Sequence, residues 1–526
     1  MGQPFATLSD AVSALRTGTV SSRELVTGAL ADAEVLAPFL GVYVTRFPEQ
    51  ALAAAREADA LPAGRRRALH GVPLAVKDNL ATVEGPATAQ SPAHDPVWWR
   101  GRDAPAVARL RDSGAVVLGK TTMTEYAMGR PDPTHTYPVP RNPWDPERWT
   151  GGSSTGNGAG IAAGLFLGAL GSDTSGSVRL PAALCGTTGL KPTHGLLPLE
   201  GCIPLSPSQD VIGPMAVSAR DCGLLLSALT GASYDVSGER PVDIRGLRVG
   251  VPYGLVDSPG ITEECRTAFT AALGELSRLG AVVREFPLPE FPTLFAANGL
   301  VLLTEAFAAH GARLAADWDR HGRTFRRLAA VGATIPGHLY AQARWTAAST
   351  TAALLARMDG PGGVDVIATP TWPAAARPYH DEAAPGDELN LTAPWNATGF
   401  PAIALPMGVA AGRLPLSLQL VARPSAERTL LAAGEAYQGA TAWHLRRATP
   451  DPEHRPRPLT DPERAGASGR SPEGPGGGPD HGSAVAAVLA AAGITPGPAD
   501  LAAVSAMSAA LTRAAEHLAE ARPASV

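Results

Sequence analysis

The chain has 526 residues, 45% of them hydrophobic and 18% charged, which is enough to bury one large core or two ordinary ones and excludes a disordered protein. Its 44 basic and 49 acidic side chains leave a formal net charge of −5, so neither nucleic acid nor an anionic membrane is an expected partner. Four widely spaced cysteines (Cys185, Cys202, Cys222, Cys265) contain no CxxC pair, which argues for buried apolar thiols and against a disulfide framework or a metal site.

In chain order, the opening MGQPFATLSDAVSALRTG lacks a basic segment ahead of an apolar core, and the longest near-continuous apolar run, Ile161 to Leu170, is too short to cross a bilayer. A cytoplasmic protein is expected. The first seventy residues read as a cover layer of helices: Ser21 and Glu24 have capping-box spacing ahead of LVTGALADAEVL, and ALAAAREADAL repeats apolar residues at helical spacing. From Gly71 the texture changes to short apolar runs that end in polar or glycine-rich turns: GVPLAVKDN, AVVLGKT, LRVGVP, DVIATP and PAIALPMG. Interleaved with helical stretches such as APAVARLRDSG and ITEECRTAFTAALGELSRLG, they predict an α/β domain with a largely buried sheet over residues 1–447.

After Gln438 the pattern fades, and residues 448–482 read as a linker rich in Pro, Gly and charge. Residues 483–526 read as a helical hairpin, with helices over Ser483 to Ala492 and Leu501 to Glu520 around a GITPGPAD turn. Leu501, Val504, Met507, Leu511, Ala514 and Leu518 recur at helical spacing beside polar Asp500, Ser505, Arg513 and Glu520. Such a stripe is expected to dock in cis on the α/β domain or on a second chain, against the alternative of a frayed Ala-rich appendage. No fixed-period repeat is present, which argues against a solenoid.

The densest chemical signal lies between residues 148 and 195, where glycines and hydroxyl side chains cluster twice inside apolar sequence. No GK[ST] follows the glycines, so this is not a P-loop. Gly152-Ser153-Ser154-Thr155-Gly156 matches a G-x-S-x-G elbow with Ser154 as nucleophile, a reading that needs a later histidine such as His380 or His444. Lys77 carries a different signal. Only three of the 44 basic residues are lysines (Lys77, Lys120, Lys191), and Lys77 lies in an apolar strand-like run where desolvation would draw off its proton. Its alternative is a buried ion pair with Asp78 or another carboxylate.

Taken together, LHGVPLAVKDN (69–79), LGKTTMTEYAMG (118–129), RNPWDPERWTGGSSTG (141–156), LGSDTSGSVRLPAALCGTTGLKPTHG (170–195), DVIGPMA (210–216), TAPWNATGFPAIALPMG (392–408) and LPLSLQLVARP (414–424) resemble the amidase signature family of serine hydrolases over roughly residues 5 to 440. The resemblance implies an amidase-signature fold, with a large mixed β-sheet flanked by helices on both faces and the C-terminal helical hairpin appended. It implies a Ser-Ser-Lys triad with Ser177 as nucleophile, Ser153 as bridging serine and Lys77 as base. It also implies an oxyanion hole from the N–H groups of Thr174, Ser175, Gly176 and Ser177, a cis peptide bond at or beside Ser153, and supporting roles for Arg179, Ser154 and Asp173. The family commonly has GGSSGGS and DTGGS, whereas this chain has Thr155, Asn157 and Ser175. Ser175 would strain the turn if its position required positive φ.

The chemistry so implied is acylation of Ser177 by a small-molecule amide with release of ammonia or an amine, without metal or organic cofactor. Acyl or amide transfer with the same triad is the alternative, and a non-catalytic scaffold the remote one. Thr122, Met128, Ile203, Trp372 and Arg377 are the candidate substrate-binding residues, because loops after strands carry specificity. A homodimer is one expected assembly. The tail is similar to the helical part of the small C subunit of tRNA-dependent amidotransferases and of related small amidase companions.

Overall fold

All five apolar runs become largely buried strands of one sheet. The computed structural model describes residues 4–132, 137–234, 242–379, 389–454, 456–459 and 479–520. Eleven strands are present among them: β1 (Tyr43–Arg46), β2 (Pro73–Lys77), β3 (Val116–Thr121), β4 (Gly168–Asp173), β5 (Thr188–Lys191), β6 (Val211–Ala216), β7 (Arg248–Val251), β8 (Val282–Glu285), β9 (Val366–Pro370), β10 (Ala402–Val409) and β11 (Pro415–Ala422). They form a single mixed sheet in the order β1-β3-β2-β4-β6-β5-β10-β11-β9-β7-β8. Strand β2 pairs in parallel with both β3 and β4. The carboxyl ends of β2 and β4 therefore open on the same edge of the sheet, where loops can converge on a ligand.

Helices cover this sheet. Before its midpoint in sequence lie α1 (Leu8–Thr17), α2 (Ser22–Leu40), α3 (Pro48–Ala60), α4 (Pro105–Asp112), α5 (Thr155–Ala162), α6 (Arg179–Cys185) and α7 (Ala219–Thr230). The short α8 (Tyr253–Val256) and the long α9 (Glu263–Arg278) follow, then α10 (Phe291–Asp317), α11 (Arg323–Val331) and α12 (Gly337–Asp359). The last are α13 (Pro394–Ala397), α14 (Glu427–Thr441), α15 (Pro479–Ala491) and α16 (Pro498–Glu520). Capping boxes at Thr7, Ser21 and Ser218 start α1, α2 and α7, each satisfying backbone N–H groups that the helix itself cannot.

The first seventy residues are not wholly helical. Gly41 ends α2 in the left-handed region, and Tyr43–Arg46 then pairs antiparallel with β3 as the edge strand β1. Aromatic and β-branched Tyr43, Val44 and Thr45 suit a pleated, half-buried edge, but four residues are too few to show period-two alternation.

Helix α10 is, by length and composition, apolar enough to span a bilayer. Here its apolar face is covered by α11, α12 and α16 instead. The segment expected to be a linker begins docked: Ala448 N–H donates to the Ala162 carbonyl at 3.3 Å, Arg141 Nη2 to the Arg457 carbonyl at 3.0 Å, and Arg457 N–H to Glu147 at 2.8 Å. Residues 460–478 of that segment lie outside the described residues.

The C-terminal hairpin packs on the catalytic body. Val485, Leu489, Ile494 and Val504 are buried in one cluster with Phe325 and Val331 of α11 and Ala306 and Leu314 of α10, and Leu501, Met507 and Leu511 flank it. At the far end the buried alanine is Ala515; the side chains of Ala514 and Leu518 are outside the described residues. Asp500, expected on the polar side, is instead buried and pairs with Arg326 at 2.8 Å and Arg327 at 2.6 Å while accepting from Trp318 Nε1 at 3.2 Å.

Candidate active site

Lys77 closes β2 and is fully buried. Its Nζ donates to Ser153 Oγ at 2.8 Å, to Ser172 Oγ at 2.9 Å and to the Ser172 carbonyl at 3.2 Å. Among the described residues no carboxylate lies within ion-pair distance of it. Burial draws its pKa from the usual 10.5 to about 7, outweighing the opposing influence of Cys202, Asp173 and Asp210. The alternative pairing with Asp78 is not what the structure contains: Asp78 faces Lys120 Nζ at 3.7 Å and anchors the following loop through Thr88 and Gln90. All three lysines of the chain are buried.

Ser153 and Ser154 precede α5, and the Gly152–Ser153 peptide is cis. Ser154 N–H donates to the Ser177 carbonyl at 3.1 Å, which joins the two glycine- and hydroxyl-rich clusters back to back. The Ser154 hydroxyl donates into the sheet, to the Ser172 carbonyl at 3.3 Å. No histidine bonds to it among the described residues, so the elbow reading loses its base; His444 sits in a one-turn helix after α14, and His380 is outside the described residues.

The turn between β4 and α6 carries Thr174 to Val178. Asp173 at its base is buried and accepts from the N–H groups of Gly176 at 2.8 Å and Val178 at 3.1 Å, and from Arg179 Nε and Nη2 at 3.0 and 2.9 Å. Burial opposes its charge, but the Arg179 guanidinium with Lys191 and these N–H groups outweighs that and holds the carboxyl well below the usual carboxylate range. Arg179 in turn donates to the Thr392 carbonyl, Gln419 and Asn396 at 2.9, 2.9 and 2.6 Å, tying the turn to the segment before β10 and to β11.

This corrects the expected oxyanion hole in one place. The Gly176 N–H is already given to Asp173, whereas those of Thr174, Ser175 and Ser177 donate to no protein acceptor among the described residues. The left-handed conformation also falls on Gly176 (φ 121°), where a Cβ would collide with the Thr392 hydroxyl, and not on Ser175. Ser175 is therefore accommodated without the expected backbone strain. Ser177 retains slight exposure, and its hydroxyl makes no hydrogen bond among the described residues.

The candidate pocket residues separate. Thr122 is fully buried and spends its hydroxyl on the Gly41 carbonyl at 2.7 Å, so it fastens the end of β3 to the turn between α2 and β1. Met128 and Ile203 share a core with Tyr126, Phe325 and the hairpin. Trp372 packs with Trp149, Leu180 and Leu184 beside α6, and the Arg377 guanidinium lies 5.6 Å over the Trp149 ring. Sequence reasoning assigned no role to Asn79, Ser172 or Asp210, although all three lie inside quoted motifs. Asn79 Nδ2 donates to Ser172 Oγ at 2.9 Å, and Asp210 accepts from Thr174 Oγ1 at 2.6 Å. No group of three or more His, Cys, Asp or Glu side chains among the described residues is placed to hold a metal ion.

Alongside this sheet and these two serine turns, the class is set by the Amidase family model, which matches residues 24–431: the chain belongs to that family. Among curated relatives, it is 38% identical to a glutamyl-tRNA(Gln) amidotransferase subunit of Roseiflexus sp. (strain RS-1), over 84% of this chain and 97% of that one. Among solved structures it is similar to an amidase (TM-score 0.76, 31% identity, 82% of this chain and 99% of that one). It is also similar to the peptide amidase of Stenotrophomonas maltophilia (TM-score 0.70, 29% identity, 84% and 98%).

Proposed function

We propose that this protein cleaves a C–N amide bond through an acyl-enzyme on Ser177. The observation that carries the reading is Lys77: a buried lysine with no carboxylate partner among the described residues, drawn to about 7, and 2.8 Å from Ser153. A serine hydroxyl is a poor nucleophile until a neighbouring base takes its proton. Neutral Lys77 accepts the Ser153 proton as Ser153 accepts that of Ser177, and the Ser177 oxygen bonds to the amide carbonyl carbon. The negative charge on the carbonyl oxygen is met by the uncommitted N–H groups of Ser175, Ser177 and Thr174. On collapse the C–N bond breaks and the proton returns along the same path to the leaving nitrogen. Water, deprotonated by the same base, then releases the acid and restores Ser177.

Whether the released ammonia or the acyl group goes to a second substrate is a separate matter. Transfer is favoured by the name of the Roseiflexus relative, which belongs to an amidotransferase. Simple hydrolysis is favoured by the likeness to peptide amidase. Ammonia and amine release by the protein alone, measured over glutamine, primary amides, ureas and N-acyl amines, separates them. Turnover without any acceptor supports hydrolysis, and turnover of glutamine only when an acceptor or partner is added supports transfer. Failure of Ser177 to take a fluorophosphonate label would remove both.

A further inference from the structure

Ser175 stands where the family motif usually has glycine, and its hydroxyl is fully engaged. It donates to Asn298 Oδ1 on α10 at 2.9 Å and accepts from Asn390 Nδ2 at 3.4 Å. We propose that Ser175 and Asn298 form a positioning pair that fixes the oxyanion turn against α10 and, through α10, against the C-terminal hairpin. The inference rests on Ser177 being the nucleophile of an amidase.

The hydrogen bonds close a ring. Asn298 Nδ2 donates to the Thr174 carbonyl at 3.3 Å and to Gln209 Oε1, and Gln209 Nε2 donates back to the Asn298 carbonyl at 3.2 Å. Asn298 and Gln209 are buried, so each polar atom must be satisfied within the protein, and the ring has one arrangement that does so. The Thr174 carbonyl belongs to the same planar peptide as the Ser175 N–H, and in a trans peptide the two point in opposite directions. Holding that carbonyl toward Asn298 therefore aims the uncommitted Ser175 N–H away from α10. The next peptide is fixed from its other side, by Thr392 Oγ1 on the Ser175 carbonyl at 2.7 Å and Asp173 on the Gly176 N–H at 2.8 Å. A glycine at 175 leaves Asn298 Oδ1 without that donor and its amide free to turn.

The neighbour of Asn298 faces the other way. Ala297, with Leu300 and Val301, is buried in a cluster with Ala343 and Ala347 of α12 and Ala515 of α16. Through Ala515 the hairpin therefore shares a core with Ala297, the residue next to the side chain that holds the turn.

The test compares fluorophosphonate labelling of Ser177 and steady-state turnover in wild type, Ser175→Gly, Ser175→Ala, Asn298→Ala and the Ser175→Ala/Asn298→Ala double variant. Labelling and kcat are expected to fall about tenfold in each single variant and no further in the double, with KM within about twofold of wild type. Ser175→Ala carries the test alone if Asn298→Ala does not fold. Asp500→Ala, which unpins α16 from α11, is expected to slow labelling about threefold in wild type and not further in Ser175→Ala. Wild-type labelling rates in Ser175→Ala, or additive losses in the double variant, overturn the pairing. An equal slowing by Asp500→Ala in both backgrounds overturns the link to the hairpin. A wild-type protein that takes no label overturns the nucleophile reading, and this inference with it.

Discussion

Lys77 and Asp78 are sequence neighbours, yet their charged ends belong to separate networks. Among the described residues the Lys77 amine meets only hydroxyls and a carbonyl, while Asp78 stands 3.7 Å from Lys120. Had the two paired, burial would have been offset by a counter-charge and Lys77 would have kept its proton.

Removing Lys77, Ser153 or the nucleophile Ser177 should stop the reaction. Lys77→Ala, Ser177→Ala and Ser153→Ala are each expected to lower kcat/KM at least about a thousandfold, and pairs of these changes should cost little more than one. Lys77→Arg should not restore turnover, because guanidinium keeps its proton at accessible pH. Retained fold is checked by circular dichroism and turnover by ammonia release. Full activity in Lys77→Ala with complete loss in Ser154→Ala would return the elbow reading to favour.

The pH dependence follows from the same amine. Below the Lys77 pKa of about 7 the base is protonated, so kcat/KM should rise with pH, about tenfold per unit, and level off above it. Burial also draws Lys191 to about 7, but its amine donates to the Pro192 carbonyl at 3.1 Å and touches neither serine. Lys191→Met should keep the rising limb. A limb that moved with Lys191→Met would assign the base elsewhere.

Stability should track pH in the same direction. An unfolded lysine holds its proton to about 10.4, whereas Lys77 and Lys191 in the fold release theirs near 7, so between those values the unfolded chain binds more protons and folding gains as pH rises. The gain is readable from pH 7 to about 8.5; above that, unfolded cysteines ionise while burial keeps their folded counterparts protonated, which opposes it. Urea midpoints at the two ends of this window should differ in wild type and converge in Lys77→Met/Lys191→Met.

Arg179 should be needed for the fold itself. Without its guanidinium the buried Asp173 carboxylate loses its one ion-pair partner and keeps backbone N–H groups and the more distant Lys191, a loss of about 3–5 kcal/mol. Arg179→Lys should rescue little, because one amine cannot reach Asp173, Thr392, Asn396 and Gln419 together. Thermal melts of both variants, with Asp173→Asn/Arg179→Met as the neutralised control, check this; a wild-type melt for Arg179→Ala would show that the pair contributes nothing.

The hairpin should behave as part of the body. Val504→Asp places a charge in a fully buried site and is expected to cost about 3 kcal/mol or more, seen as a lower melting temperature of the whole protein. A protease site inserted between residues 460 and 478 should, once cut, leave the hairpin co-eluting with the catalytic body. Separation of the two fragments on a sizing column would contradict this docking.

Much of the site could be read from sequence because its chemistry sits in short contiguous runs. Lys77 stands out as one of three lysines, and Ser153 and Ser177 each lie in a glycine-rich run with unusual apolar flanks. What could not be read are partnerships across the chain: nothing local marks Asn298, 123 positions after Ser175, as its acceptor. Thr122 looked like a pocket residue because it follows a strand, yet its hydroxyl is taken by the Gly41 carbonyl, in a turn 81 positions earlier. The Gly176 N–H looked free because the supporting role implied for Asp173 does not say which N–H groups its carboxylate accepts. Asp500 was placed on the polar side by its charge, and the two arginines of α11 that bury it lie more than 170 positions away.

With Lys77, Lys120 and Lys191 all enclosed, the folded surface carries no ε-amino group, and the permanent positive charge of its side chains is guanidinium. Succinimidyl esters, aldehydes and other amine-seeking reagents therefore find, at most, an α-amino group on the intact protein. Each loss of structure uncovers up to three new sites for them. An amine-reactive dye thus reports unfolding by mass, three additions for a fully opened chain, and glutaraldehyde immobilisation should attach few molecules until they begin to open.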